Sequence, residues 1–571
     1  MNRIVGVGIV CAVAIVLAMA TALLVVLPAQ VLKQTQFEFL SRTGKTLNIA
    51  GGTSIRLSPQ FGIALNDVSV AGGSAQNTDV FQARAIFVPV SLKQVFGLSY
   101  TNEIIIVETP IFTVAINSEG RSNILLSDTS ARSKADMRAA LPTPLQLRFQ
   151  NGNLVYSDEA HANSFALSEA EGLIAVDAQQ EITLKSAAVL GRQRVHVQSV
   201  LHSLPRAFAE GSPFDFNLDG AGASFGYSGR LVVKNGVELA GQATVDTEDV
   251  SRLFKWLGMD LHGLQGKHTL AMTSAVETQG ALVLMKKADV KFADMAALGD
   301  ISFFGAAARP SLTFDLALDE INTNLFSPVV NRISRQGIWN DKKFDLSDLK
   351  ALDVSFKIAA RRVRFGDFIS GEALIDGALK DGVANAAIKS ETSGNADINF
   401  DSVQSPPKLS INLDLKNIEA KTFMRRFAGM NWLQGPLRLN ASLMTEGSNQ
   451  AEMVGGLKGN AEIQFDQAQI QGVELAGLAA HVQTENVSGW EGQMTDPVTG
   501  NAKFSLADGV ATLQENEITA PGLKAIQNGE IDILRQALNL ESAVGLNRGD
   551  GNPMTIKITG SWANPNFALT K

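Results

Sequence analysis

Alternation of apolar and polar residues restricts the fold of this chain more than any other feature. In "KLSINLDLKN", Leu409, Ile411, Leu413 and Leu415 are separated by Ser410, Asn412 and Asp414. Leu312, Phe314 and Leu316 repeat the pattern in "SLTFDLALDE", as do Leu437, Leu439 and Leu443 in "PLRLNASLMT". A period of two sends successive side chains to opposite sides of a strand, so each such segment has one apolar and one polar face. Turn sequences recur between the segments, as in "KNGVELAGQATV", "KDGVANAAIKS" and "ADGVATLQENEITA". With 50 glycines against 17 prolines, this is the composition of many short strands joined by tight turns. The expected fold class is mainly β and rich in antiparallel pairing.

Three stretches share one design, an alternating strand followed by a polar turn and a short amphipathic helix. They are "VELAGQATVDTEDVSRLFKWLG", "SLTFDLALDEINTNLFSPVV" and "KLSINLDLKNIEAKTFMRRFAG". In the third, Phe423, Met424 and Phe427 fall on one helical stripe. The copies are imperfect and unevenly spaced, which excludes a strict solenoid. They imply one supersecondary unit reused along an elongated assembly.

From Ile4 to Leu27 the chain runs 24 residues without a charge and ends at Pro28. About 20 apolar residues suffice to cross a bilayer as a helix. Ile4, Ile9, Ile15, Leu23 and Leu27 are accordingly assigned to a transmembrane anchor. A cleaved signal peptide is the competing reading, because Ala18-Met19-Ala20 fits a cleavage site; its apolar core would stop sooner. No second run of that length follows, so a single-pass protein with its mass on one side is expected. The organisation reads as an anchor over 1–30, a β region over 31–128, a polar linker over 129–140, a central β repeat region over 141–405 and a C-terminal β region over 406–571.

Composition and motifs exclude several chemistries. With 57 acidic and 49 basic residues the net charge is −8, which is not that of a strongly basic nucleic-acid binder. A single cysteine, Cys11, rules out an intrachain disulfide, and the six histidines are scattered, so no metal site and no cofactor are expected. Gly44-Lys45-Thr46 has the ending of a phosphate-binding loop, but the glycine required five residues earlier is Phe39. Leu47 and Ile49, then Ile55 and Leu57, alternate on either side of Gly51-Gly52 and predict a β-hairpin there. Gly222-Ala223-Ser224-Phe225-Gly226 matches the nucleophile motif of hydrolases, yet "YSGRLVVK" follows where a helix is needed. A glycine-rich hairpin is predicted instead. No catalytic residue is assigned, and the protein is not expected to be an enzyme.

An ordered series of landmarks resembles the start of bacterial AsmA-family proteins. It runs through Thr43-Gly44-Lys45, Pro59, Asp67-Val68, Pro110 and Gly120-Arg121-x-Asn123. The C-terminal third is similar to the family as well, in "LKGNAEIQFDQAQIQGVEL", "NGEIDILRQALNLE" and "MTIKITGSWANPNFAL". The resemblance implies a protein anchored in the inner membrane of a Gram-negative cell, with the bulk of the chain periplasmic. It implies links to outer-membrane assembly and lipid homeostasis. Larger relatives form a long curved sheet, a trough with an apolar lining, and are implicated in moving phospholipids between membranes.

Taken together, a non-enzymatic lipid-handling protein of the cell envelope is expected. Its apolar groove would be lined by Leu312, Phe314, Leu316, Leu409, Ile411, Leu413, Leu415, Leu437, Leu439 and Leu443. The expected partners are the inner membrane, phospholipid or lipopolysaccharide acyl chains and outer-membrane assembly proteins, with no nucleic acid. The alternative is a structural or regulatory scaffold with a dry sandwich core, which the alternation alone does not separate from an open groove.

Overall fold

The computed structural model describes residues 46–570 apart from 58–59, 73–78, 90–103, 118–122, 124–143, 159–162, 234–236, 257–265, 306–308, 324–338, 351, 366–367, 429–431, 474–490, 495–496 and 547–552. The described residues are mainly β and divide into two compact units. The apolar run of 4–27 with Ile4, Ile9, Ile15, Leu23 and Leu27, the 129–140 linker, and Gly44, Lys45, Pro59, Gly120 and Arg121 all lie outside the described residues. So do Thr43 and the helix of the second repeat. Among the described residues no helix is long and apolar enough to cross a membrane. The central segment, 141–405, supplies strands to both units.

In the first unit, β1 (Leu47–Ile49) and β2 (Thr53–Arg56) both pair antiparallel with β3 (Gly62–Val70). The predicted hairpin between them is therefore corrected: the two strands lie end to end along one partner. The reason is local. Ala50 and Gly51 donate their amides to the carbonyls of Asp67 and Asn66 at 3.0 and 3.1 Å, so the turn stays on the ladder of β3 instead of reversing. Asp67 sits at that bulge with a positive φ of 50°. Ile55 and Leu57 end up 69% and 77% exposed, not on an apolar face.

β3 pairs with β4 (Phe81–Pro89), and β4 with both β5 (Ile104–Glu108) and β6 (Ile111–Ile116). These last two run parallel to the long β7 (Leu145–Asp158). Pro110, which has no amide proton to donate, breaks the strand into two. Its carbonyl still accepts from Asn153 at 2.7 Å and holds both halves on β7. An antiparallel series follows through β8 (Asn163–Val176), β9 (Ile182–Leu190), β10 (Gln193–Leu201), β11 (Ser212–Gly220), β12 (Ala223–Val233), β13 (Val237–Thr247), β14 (Leu270–Gln279) and β15 (Leu282–Phe292). Ser224 lies in β12 opposite Asp219, past a turn at Ala221-Gly222, as predicted for a hairpin.

Up to β12 this unit has a dry interior. Ile86, Val107, Leu147 and Val195 have no solvent exposure. Two short helices, α1 (Leu204–Ala209) and α2 (Val250–Trp256), add Leu204, Ala207, Leu253 and Trp256 to the same core. The indole of Trp256 donates to the Leu190 carbonyl at 2.9 Å. α2 is the helix predicted in the first repeat.

β16 (Met295–Phe304) comes next in the chain. The second unit contains β17 (Ser311–Asn322), which runs parallel to β18 (Asp353–Phe365). From β18 an antiparallel ladder passes through β20 (Ala373–Lys380), β21 (Val383–Ser390), β22 (Gly394–Asp401), β23 (Lys408–Glu419), β25 (Pro436–Glu446) and β26 (Lys458–Val473). It continues through β28 (Val498–Ala507), β29 (Val510–Ala520), β30 (Leu523–Asp532), β31 (Ala537–Leu546), β32 (Met554–Ser561) and β33 (Asn564–Thr570). Short β19 (Phe368–Ser370) pairs with β18, and β24 (Leu433–Gln434) and β27 (Glu491–Met494) pair with β26. Two helices, α3 (Ala420–Ala428) and α4 (Gln450–Gly455), interrupt the series, and α3 is the helix predicted in the third repeat.

Asn123 is fully buried beside β6. Its side chain accepts from the Ala115 amide and donates to the Thr113 carbonyl, each at 2.9 Å. It thus supplies a short stretch of ladder to an otherwise unpaired edge. Replacing Asn123 with Ala strands both groups, and we expect a loss of roughly 2–3 kcal/mol in the first unit, measurable by chemical denaturation of the variant against the parent.

Candidate functional site

The second unit carries an apolar face whose continuity follows from strand register. Residues directly opposite one another on paired strands share a face. Leu316 stands opposite Ile358, Ile358 opposite Ile375, and Ile375 opposite Ile388. The row goes on through Ala396 to Leu413, then through Ala441 and Ala461 to Phe504. Neighbouring rows contain Phe314, Phe356, Ile398, Ile411 and Leu443, and then Leu415, Leu439 and Ile463. The polar positions between them face the other way, where the Ser442 hydroxyl donates to Asn412 at 2.8 Å.

Most large side chains on this face are only half-buried. Leu312, Phe314, Leu316, Leu409, Ile411, Leu413, Leu415, Leu439 and Leu443 all fall in that range. Leu437 differs: it is 3% exposed and belongs to a local core with Ile418 and Phe465. Nine of the ten groove residues expected from sequence therefore lie on a face that is neither dry nor freely exposed. Large rings are accommodated on it by glycines on the next strand. Phe356 lies opposite Gly377 and Phe465 opposite Gly500, and a Cβ on either glycine would meet the ring. The rings of Phe314 and Phe356 stack at 5.6 Å.

None of those ten residues lines the apolar cavity beside α3. α3, β24, β26 and β28 to β33 enclose a partly open cavity of about 210 Å³. Met424, Trp432, Ile463, Phe504, Leu523 and Val544 are among its walls, and among the described residues Gln527 and Ser542 are the polar side chains in the lining besides the Trp432 indole. The local alternation Ala525, Gln527, Gly529, Ile531 and Leu538, Leu540, Ser542, Val544 is the signal that was present in the sequence. Convergence of those strands on one hollow was not, because it depends on long-range pairing.

α3 forms one wall through Met424, while Phe423 packs on the adjoining core. The helix is fixed at its start by Glu419, whose carboxylate accepts from the amides of Thr422 at 2.8 Å and of Lys421 and Gly435 at 3.2 Å. Burial pushes the Glu419 carboxyl up, but the hydrogen bonds from Thr422, Gly435 and Lys421 outweigh it and hold the group below the usual glutamate value of 4.5.

Residues 383–516 match the sequence model of the AsmA family. The protein carries an AsmA family domain. The matched segment begins at β21 and ends within β29, so it contains most of the apolar face and the cavity walls at Ile463, Phe465, Val498 and Phe504. The domain relates the chain to proteins of the cell envelope. Neither a curated protein nor a solved structure matches the chain.

Two outcomes are expected. Leu413→Asp, on the half-buried face, should leave the second unit folded with a loss of about 1–2 kcal/mol, whereas Leu147→Asp in the dry core should unfold the first unit. Circular dichroism melts compare the two directly. Glu419, with its lowered folded value, contributes stability that is fully present above the unfolded value of 4.5 and is lost below it, as pH falls through the lower value of the folded state. Glu419→Gln should cost about 1 kcal/mol or less at neutral pH and remove part of the acid sensitivity of the second unit, read by denaturation between about pH 3 and 6.

Proposed function

We propose that the protein is a membrane-anchored, periplasmic, non-enzymatic carrier of lipid acyl chains that aids phospholipid transport between the membranes of the envelope. The observation that supports this reading most is the apolar face of the second unit. A sheet face buried in its own protein resembles the first unit, with side chains at or near zero exposure. Here the same kind of side chain stays half-open to solvent across successive strands, and the face adjoins a hollow lined almost wholly by apolar atoms. An acyl chain laid on it would gain about 0.8 kcal/mol for each CH₂ removed from water. The strands are chemically alike, so a chain moving across them exchanges one set of apolar contacts for a similar set. The AsmA domain at 383–516 supports a role in the envelope, and the uncharged run from Ile4 to Leu27 supports attachment to the inner membrane.

The dry core of the first unit favours a second role for that part, a rigid scaffold that holds the apolar face in place or meets outer-membrane assembly proteins. The two roles belong to different units and are compatible.

Mass spectrometry of lipids that co-purify with the chain lacking residues 1–29, prepared without detergent, tests the reading. Phospholipid is expected in stoichiometric amount in the parent and is expected to be lost from a folded Ile411→Asp/Leu413→Asp variant. A well-folded parent free of lipid would overturn the carrier role and leave the scaffold.

A further inference from the structure

Gln527 and Ser542 stand directly opposite each other on β30 and β31, inside the apolar cavity of the second unit. Ser542 is only 4% exposed. The Gln527 backbone is already engaged: its amide donates to Asn516 Oδ1 at 2.5 Å, and its carbonyl accepts from Asn516 Nδ2. This exchange takes the place of ladder bonds where β29 and β30 lose register between Thr512 and Ile518. Neither the Gln527 carboxamide nor the Ser542 hydroxyl has a side-chain hydrogen-bond partner among the described residues. Gln527 is half-buried, and the buried side-chain oxygen or nitrogen without a partner among the described residues is Ser251 Oγ. The Gln527 and Ser542 groups are thus reached from the hollow and are the polar contacts an entering molecule would find there.

We infer that the cavity is a binding site for an ester-linked acyl chain, with the ester carbonyl held by Gln527 and Ser542 and the hydrocarbon against the surrounding apolar walls. This rests on the acyl-carrier reading and narrows it to a place and a linkage. A carbonyl oxygen has two lone pairs and accepts from the Ser542 hydroxyl and the Gln527 amide together. Among the described residues no lysine or arginine lines the cavity, so a carboxylate or phosphate drawn into it would lose its hydration without a counter-charge from them. The neutral linkage belongs inside and any charged headgroup outside. The volume, about 210 Å³, exceeds the roughly 150 Å³ of an apolar cavity that takes up benzene. It accommodates part of a chain, while the remainder continues onto the open face.

The test uses the full chain in a non-ionic detergent and two probes, the methyl ester of a brominated long-chain fatty acid and its ether isostere without the carbonyl. Bromine quenches tryptophan, and Trp432 in the cavity wall reports binding, with Trp432→Phe as the background. The parent is expected to bind the ester about tenfold more tightly than the ether. In Gln527→Leu/Ser542→Ala the preference should fall to about twofold or less while the ether binds at least as well as in the parent. If the double variant fails to fold by circular dichroism, Ser542→Ala alone should lower the preference by roughly half on a logarithmic scale. Equal binding of the two probes by the parent, as when a water molecule permanently bridges the pair, would overturn the inference and leave the carrier role standing. So would a preference that survives in the folded variant. Failure of the parent to bind either probe would count against the carrier role itself.

Discussion

Every strand with an alternating sequence has an apolar face that water has to be kept from, and the two units of this protein meet that requirement differently. The first folds its strands up to β12 and two helices around Ile86, Val107, Leu147 and Val195 until no solvent reaches them, while β13 and β14 keep Leu239, Val245 and Leu270 only partly buried. The second leaves a comparable set of leucines, isoleucines and phenylalanines half-covered. Fully burying such a side chain is worth about 1.5–3 kcal/mol. Each half-covered one forgoes a share of that, and the total over many strands is a large amount of unrealised stabilisation. A face kept in this state across a whole ladder is better suited to contact with something other than its own chain.

The local devices of the second unit maintain that openness. α3 is anchored by Glu419, not by deep packing alone, and its Met424 forms a wall of the cavity. Where β29 and β30 part, Asn516 supplies through its side chain the hydrogen bonds that the ladder lacks. The Gln527 amide and carbonyl are therefore paired beside the hollow, where leaving them unpaired would be costly. Gln527 and Ser542 are polar groups that open on the hollow, and this separates them from the apolar remainder of the lining.

Much of this was legible in the sequence because it is local. The period of two placed Leu409, Ile411, Leu413 and Leu415 on one face, and the structure has them there together. The stripe of Phe423 and Met424 marked α3, and the missing helix after Ser224 marked a hairpin. What was not legible depends on which strands meet. Gly51-Gly52 is good turn chemistry and reads as a hairpin between β1 and β2, yet the bulge at Asp67 offers their connecting amides partners on β3. The parallel pairings of β5 and β6 with β7, and of β17 with β18, leave no periodic trace. Leu437 has the same pattern as Leu439 but lies next to Ile418 and Phe465, so it is core. The cavity draws on side chains more than a hundred residues apart, and only the register between strands brings Gln527 to Ser542.

The glycines beneath the phenyl rings bear on how this sheet tolerates change. Phe356 over Gly377 and Phe465 over Gly500 are each a single volume divided between two strands. A methyl group added to either glycine intrudes on its ring, and a smaller residue in place of either ring leaves a void over the glycine. A smaller ring would not make room for that methyl, because the methyl would also meet a backbone carbonyl on the strand beyond, Asn385 O at 2.6 Å from Gly377 and Glu517 O at 2.5 Å from Gly500. The glycine is therefore fixed by two neighbours and the ring by one, and exchange at such a site is confined to the ring.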